Sequence, residues 1–181
     1  MMNPWMTIIQ CYWRVMTFKE TPANTPYSYF LLVLIALFYY ALILAQWLML
    51  EPGTLPTLNA PVGMAALLIL SYVVYTWALL RVLRHKNRFV QSLSCLLIGH
   101  ALVHLFALPL LLLAPWLAQV AMPAAFALFF GLLYLVLTLL LTFWQFMISV
   151  HVYKHALDLS SFPAVLAGFG LLATNILTVS L

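Results

Sequence analysis

Residues 27–50 read YSYFLLVLIALFYYALILAQWLML, twenty-four positions without one Asp, Glu, Lys or Arg. As a helix rising 1.5 Å per residue, such a run is about 36 Å long, enough to cross a hydrocarbon core of about 30 Å. It has no period-2 alternation, so it does not read as a strand of a membrane barrel. Backbone groups cannot stay unpaired in lipid, and an isolated apolar run in a bilayer must therefore be a helix.

The rest of the chain repeats this reading. Of 181 residues, 67% are hydrophobic and only 6% are charged, against about 25% charged in ordinary soluble domains. So few charges cannot cover the surface of a small soluble domain. Four more apolar stretches, at about 61–83, 89–113, 123–147 and 162–181, predict an all-α integral membrane protein with a bundle of five transmembrane helices. Pro109 falls in the last turns of the third span, where it is expected to kink the helix. The breaks between spans are the two-proline turn Thr21-Pro22-Ala23-Asn24-Thr25-Pro26, the loop opening at Glu51-Pro52-Gly53, the basic segment Arg84-His85-Lys86-Asn87-Arg88, an apolar hairpin over 114–122 with Trp116 as its anchor, and Ser160-Ser161 as caps before Pro163. Residues 1–26 form a separate unit. Asn3 and Pro4 suit a helix start, and Trp5, Ile8, Ile9, Tyr12 and Met16 recur at helical spacing opposite Thr7, Gln10, Arg14 and Thr17. That pattern predicts an amphipathic helix, lying in the cytoplasmic interface or packing under the bundle. No signal-peptide pattern precedes it.

With five spans, all seven Lys and Arg residues (Arg14, Lys19, Arg81, Arg84, Lys86, Arg88 and Lys154) fall on one side. The positive-inside rule makes that side cytoplasmic, with the C-terminus on the opposite, periplasmic or extracellular side of a bacterial plasma membrane. Arg81, Arg84, Lys86 and Arg88 then set topology or meet anionic headgroups. Cys11 and Cys95 fall on the cytoplasmic half and read as packing thiols. Small residues four apart, Ala127 with Gly131 and Ala164 with Gly168, are candidate helix contacts. There is no internal repeat of the kind that marks inverted-repeat transporters.

Ionisable groups inside a bilayer are costly and mark candidate sites. His100 and His104 share one face of span three, and Gln145 lies on a stripe of span four with Thr142 and Thr138. Neutral imidazoles there could bond neighbouring helices, ligate haem b or a transition metal, or line a proton or substrate path. Ala101 stands where a zinc protease would need its Glu, which excludes that motif. Further polar residues, Gln46, Ser71, Tyr75, Thr76, Thr174 and Asn175, read mainly as interhelical bonds. A second cluster, His151, Lys154, His155 and Asp158, falls at the cytoplasmic interface, where Lys154 and Asp158 have ion-pair spacing. Counting residues from the span ends puts this cluster well away in depth from His100 and His104. No nucleophilic triad, phosphate loop or paired carboxylate is present, and nothing supports nucleic-acid binding. No cofactor is required by the pattern. The expected partners are the lipid bilayer and either other integral membrane subunits or further copies of this chain.

Five clustered spans after a short cytoplasmic segment resemble the Yip-type membrane proteins. Three stretches carry the resemblance: Thr21-Pro22-Ala23-Asn24-Thr25-Pro26-Tyr27-Ser28, Asn87-Arg88-Phe89-Val90-Gln91-Ser92-Leu93 and His151-Val152-Tyr153-Lys154-His155-Ala156-Leu157-Asp158. The resemblance brings no catalytic residues. It implies a non-enzymatic role in membrane organisation or as a subunit of a larger complex. The expected function is thus a small polytopic accessory or scaffold subunit, the alternatives being a haem or metal protein using His100 and His104 or a minor permease.

Overall fold

The computed structural model describes residues 4–50, 59–119 and 123–180, and among these all regular structure is helical. Helix α1 covers Pro4–Met16, α2 Tyr29–Leu50, α3 Asn59–Val82, α4 Phe89–Gln119, α5 Ala124–Ala156 and α6 Ser161–Ser180. Each of α2 to α6 contains a segment long and apolar enough to cross a membrane. The loop carrying Glu51-Pro52-Gly53, residues 1–3 and 120–122, and the side chain of Trp116 lie outside the described residues.

The starts and stops have local causes. The Ser28 hydroxyl accepts from the Leu31 backbone N–H at 3.2 Å and caps α2. At one end of the bundle, α1, α3 and α5 close alike. Phe18, Arg84 and Asp158 take left-handed backbone angles (φ 62°, 64° and 51°), and the next amide bonds a carbonyl five residues back: Lys19 to Arg14, His85 to Leu80, Leu159 to Lys154. None of the three is glycine, so each stop costs about 1–2 kcal/mol in backbone strain. Two helices continue beyond their apolar spans. α4 continues through Pro109 to Gln119, since neighbouring groups in a membrane bundle tolerate the lost N–H. α5 carries its helix beyond the apolar run to Ala156.

The spans do not pack in chain order. α2 lies against α4, α4 against α5, α5 against α6, α6 against α3 and α3 against α2, a closed ring in which α3 also touches α4. The N-terminal half of α4 is the hub. Ser92 to Leu97 and Gly99 to Ala101 are all buried. Small residues permit this close approach. A Cβ at Gly99 would strike the Met16 sulfur and come within 2.8 Å of Ile148. Helix α1 thus packs on the bundle: Tyr12, Val15 and Met16 are buried, and the Met16 carbonyl accepts from the Trp144 indole at 3.2 Å. Trp5, Met6, Ile9 and Trp13 on its other side stay exposed. Of the two small-residue pairs, Ala164 and Gly168 sit in the α5–α6 contact, where a Gly168 Cβ would meet Val150 at 2.8 Å. Gly131 faces open space, and the pair it forms with Ala127 makes no helix contact.

Candidate functional site

Four spans bring polar side chains together at mid-bundle. His100 is the centre. Its Nδ1 lies at hydrogen-bond distance from the Tyr72 hydroxyl and 3.0 Å from Gln145 Nε2, and its Nε2 is 2.9 Å from Ser149 Oγ. Ser149 donates its one proton to the Gln145 carbonyl at 3.2 Å, so it accepts from His100 Nε2–H. Nδ1 is then the acceptor for both Tyr72 and Gln145. Assigned in this way from the network, both nitrogens of the neutral ring are used, and α3, α4 and α5 are joined at one residue.

His104, one turn further along α4, is held differently. Gln46 on α2 grips it twice: Nε2 donates to the His104 backbone carbonyl at 3.0 Å, and Oε1 lies 2.8 Å from His104 Nδ1. The carbonyl fixes which end of the amide is which, so Nδ1 carries the proton. The ring of Tyr39 packs edge-on against both His104 and Tyr72, at centroid distances of 5.7 and 5.9 Å.

Further bonds close the ring of helices. Thr76 and Tyr153 hydroxyls are 3.0 Å apart, Tyr75 donates to the Ala167 carbonyl at 2.8 Å, and Ser71 reaches Asn175 Oδ1 at 2.9 Å. Gln46, Ser71, Tyr75, Thr76, Gln145 and Asn175 thus knit helices together, as their placement predicted. Thr138, Thr142 and Thr174 do not. Each hydroxyl donates to a carbonyl four residues back in its own helix, at 2.8–2.9 Å. Sequence reasoning missed Tyr72 and Ser149. Ser149 lies four residues after Gln145 and extends the stripe of Thr138, Thr142 and Gln145, a signal the sequence did carry.

Two cavities border this network. One, of about 410 Å³, lies between α2, α4 and α5 and is lined by Gln46, Trp47, His104, Tyr134, Thr138, Thr142 and Gln145 together with aliphatic side chains. The other, of about 320 Å³, lies between α4, α5 and α6 beside His100, Ser149 and Asn175. Thr142 and Gln145 stand in both walls.

The interfacial cluster divides, with His151 and His155 packed together and Lys154 and Asp158 turned to other partners. His151 donates Nε2–H to the Glu20 carbonyl at 2.8 Å and packs against Phe18 and His155. Lys154 reaches Ser161 Oγ at 3.3 Å. Asp158 pairs with Arg88 at 2.9 Å and His85 at 3.3 Å, not with Lys154. The left-handed turn at Asp158 takes it off the α5 helix, so the four-residue spacing no longer applies. The Arg88 hydrogen bond holds the Asp158 carboxyl below its ordinary value. Arg88 also donates to the His155 and Ala156 carbonyls at 2.9 and 3.2 Å. It caps α5 as well as carrying charge. Arg81 lies over the Trp77 ring at 4.7 Å, while Arg84 and Lys86 are exposed.

His100 and His151 lie closer in depth than counting from the span ends predicts. His100 bonds Ser149, only two residues from His151, because counting from the end of α5 misjudges where a 33-residue helix sits against its neighbours. The pairs still point apart, His100 to Tyr72 and His151 to Glu20. Among the described residues no three His, Cys, Asp or Glu side chains gather in a way that could hold a metal ion. Among the described residues the carboxylates, Glu20 and Asp158, fall outside the spans. The intramembrane site is therefore neutral, hydrogen-bonded and open to two apolar-walled cavities, an arrangement suited to holding a molecule. No family model, curated protein or solved structure matches this chain.

Proposed function

We propose that this chain is a small polytopic accessory subunit of a bacterial plasma membrane, without a reaction of its own, which holds a small lipid-phase molecule in the cleft between α2, α4 and α5. The observation that carries the reading is the cavity of about 410 Å³ on which polar side chains from three helices converge inside an otherwise apolar bundle. Ligand sites are typically apolar clefts of about 300–1,000 Å³ with a few placed polar groups. The side chains are held by mutual bonds, as His104 by Gln46, and so are pre-organised for binding.

The orientation belongs to the same proposal. Arg88 meets Asp158, Gln91 donates to the Ala23 and Thr25 carbonyls, and His151 meets Glu20. The segments carrying the seven basic residues therefore adjoin at one end, which supports a cytoplasmic N-terminus. The likeness to Yip-type proteins agrees in span number and adds a role in membrane organisation to the same reading.

The test is a gentle purification from native membranes into nanodiscs, followed by mass spectrometry of retained proteins and extracted small molecules. A co-purifying membrane subunit is expected, with a non-phospholipid molecule enriched over the bulk membrane and depleted from the Gln145→Leu protein. A monomer carrying only lipid in bulk proportions would overturn the proposal.

A further inference from the structure

The hydrogen positions of the cleft say more about its occupant than its size does. Gln46 leaves His104 with its proton on Nδ1, so Nε2 presents a bare lone pair. Among the described residues nothing donates to that nitrogen, and His104 lines the cavity. Across from it, Thr138 and Thr142 have committed their protons to the Tyr134 and Thr138 carbonyls, leaving oxygen lone pairs. Gln145 spends an amide N–H on His100 Nδ1, and its Oε1 makes no bond to any described residue. The interior of the cleft is therefore rich in acceptors. Of the lining side chains, Trp47 and Tyr134 keep their donors uncommitted, and Gln46 and Gln145 each keep a second amide N–H.

We infer that the cleft selects an apolar-tailed molecule whose head is a hydroxyl, bound by donation of the O–H to His104 Nε2. A hydroxyl can also accept from Trp47 or Tyr134. An ether or a quinone carbonyl can only accept, and would set lone pair against lone pair at His104 in a medium without water to relieve it. This inference rests on reading the cleft as a binding site and adds the chemistry of the head group. Two lipid-phase sources share that chemistry: a prenylated hydroquinone, with a phenolic O–H, and a long-chain prenyl alcohol, with an aliphatic one.

The experiment reads tryptophan fluorescence and native mass spectra of the protein in nanodiscs titrated with four probes: decyl-hydroquinone and its dimethyl ether, farnesol and its methyl ether. One neutral hydrogen bond is worth about tenfold in affinity. At least one hydroxyl probe is expected to bind about tenfold more tightly than its ether, and which one does so identifies the source. His104→Phe, which keeps an apolar ring in place, is expected to bring that ratio to one while apolar binding persists. If every hydroxyl probe and its ether bind alike in the wild type, the head-group inference fails and the binding cleft stands. A preference that survives in His104→Phe places the acceptor elsewhere and also overturns it. If none of the four binds, the binding cleft fails as well.

Discussion

Helices α4 and α5 are nearly equal in peak hydropathy, and their first halves are opposite in environment. Their most apolar windows have mean hydropathies of 2.3 and 2.5. Yet Ser92 to Leu97 are buried without a break, while Ala125 to Leu133 are exposed without one. Lipid tails are as apolar as leucine, so hydropathy decides whether a helix enters the membrane and not where it lies in the bundle. The α4 segment differs in its small and polar residues: Ser92, Ser94, Cys95, Gly99, His100 and Ala101. These let neighbours approach and offer bonds that lipid cannot. The first half of α5 has small residues too, Ala125, Ala127 and Gly131, but they stand among Leu and Phe with few polar side chains, and its surface is left to lipid.

The contrast is sharpest at two glycines. Gly99→Leu should cost about 3 kcal/mol or prevent folding, because the added side chain must displace Met16 and Ile148. A Cβ at Gly131 meets nothing within 4 Å, and Gly131→Leu should change stability by less than about 0.5 kcal/mol. Unfolding in mixed SDS micelles measures both, and equal losses would mean that the two halves are not differently packed. Next in size, His100→Leu should cost about 2 kcal/mol by stranding the Tyr72 and Gln145 donors in the interior. Thr138→Val, whose hydroxyl bonds only its own helix, should be nearly silent in the same assay. A silent His100→Leu would reduce the site to a set of incidental contacts.

The smallest effect belongs to the anchored end of α5. The Asp158 carboxyl is held below its unfolded value by Arg88, so the pair adds stability that is present above about pH 4 and is lost as pH falls through the depressed folded value. The advantage of wild type over Asp158→Asn should therefore be constant near pH 6 and shrink below pH 4. Stability profiles that stay parallel throughout would show that the pair is uncoupled from folding. Its exposure keeps the effect small.

Much of this was legible in the sequence. The span number followed from apolar length, and α2, α3 and α6 begin and end within two residues of expectation. His100, His104 and Gln145 were found by their cost in lipid. The order of helices around the ring was not legible, since five spans apolar on every side carry no periodicity to say which face meets which. The ion pair of Asp158 was misplaced because a left-handed turn at a non-glycine residue has no strong sequence signal. Ser149 and Tyr72 looked like ordinary span residues until packing set them against an imidazole.

Helix α5 also has a consequence for the membrane that holds it. From Ala124 to Met147 its apolar stretch is about 36 Å long, against a hydrocarbon thickness of about 30 Å. A mismatch of that kind is met by tilting, and the first half of α5, exposed from Ala125 to Leu133, is the part of the helix that meets lipid most. That same half carries Tyr134 and Thr138 in the wall of the larger cavity. A change in bilayer thickness should therefore be felt at this wall before it is felt at the packed half of the helix.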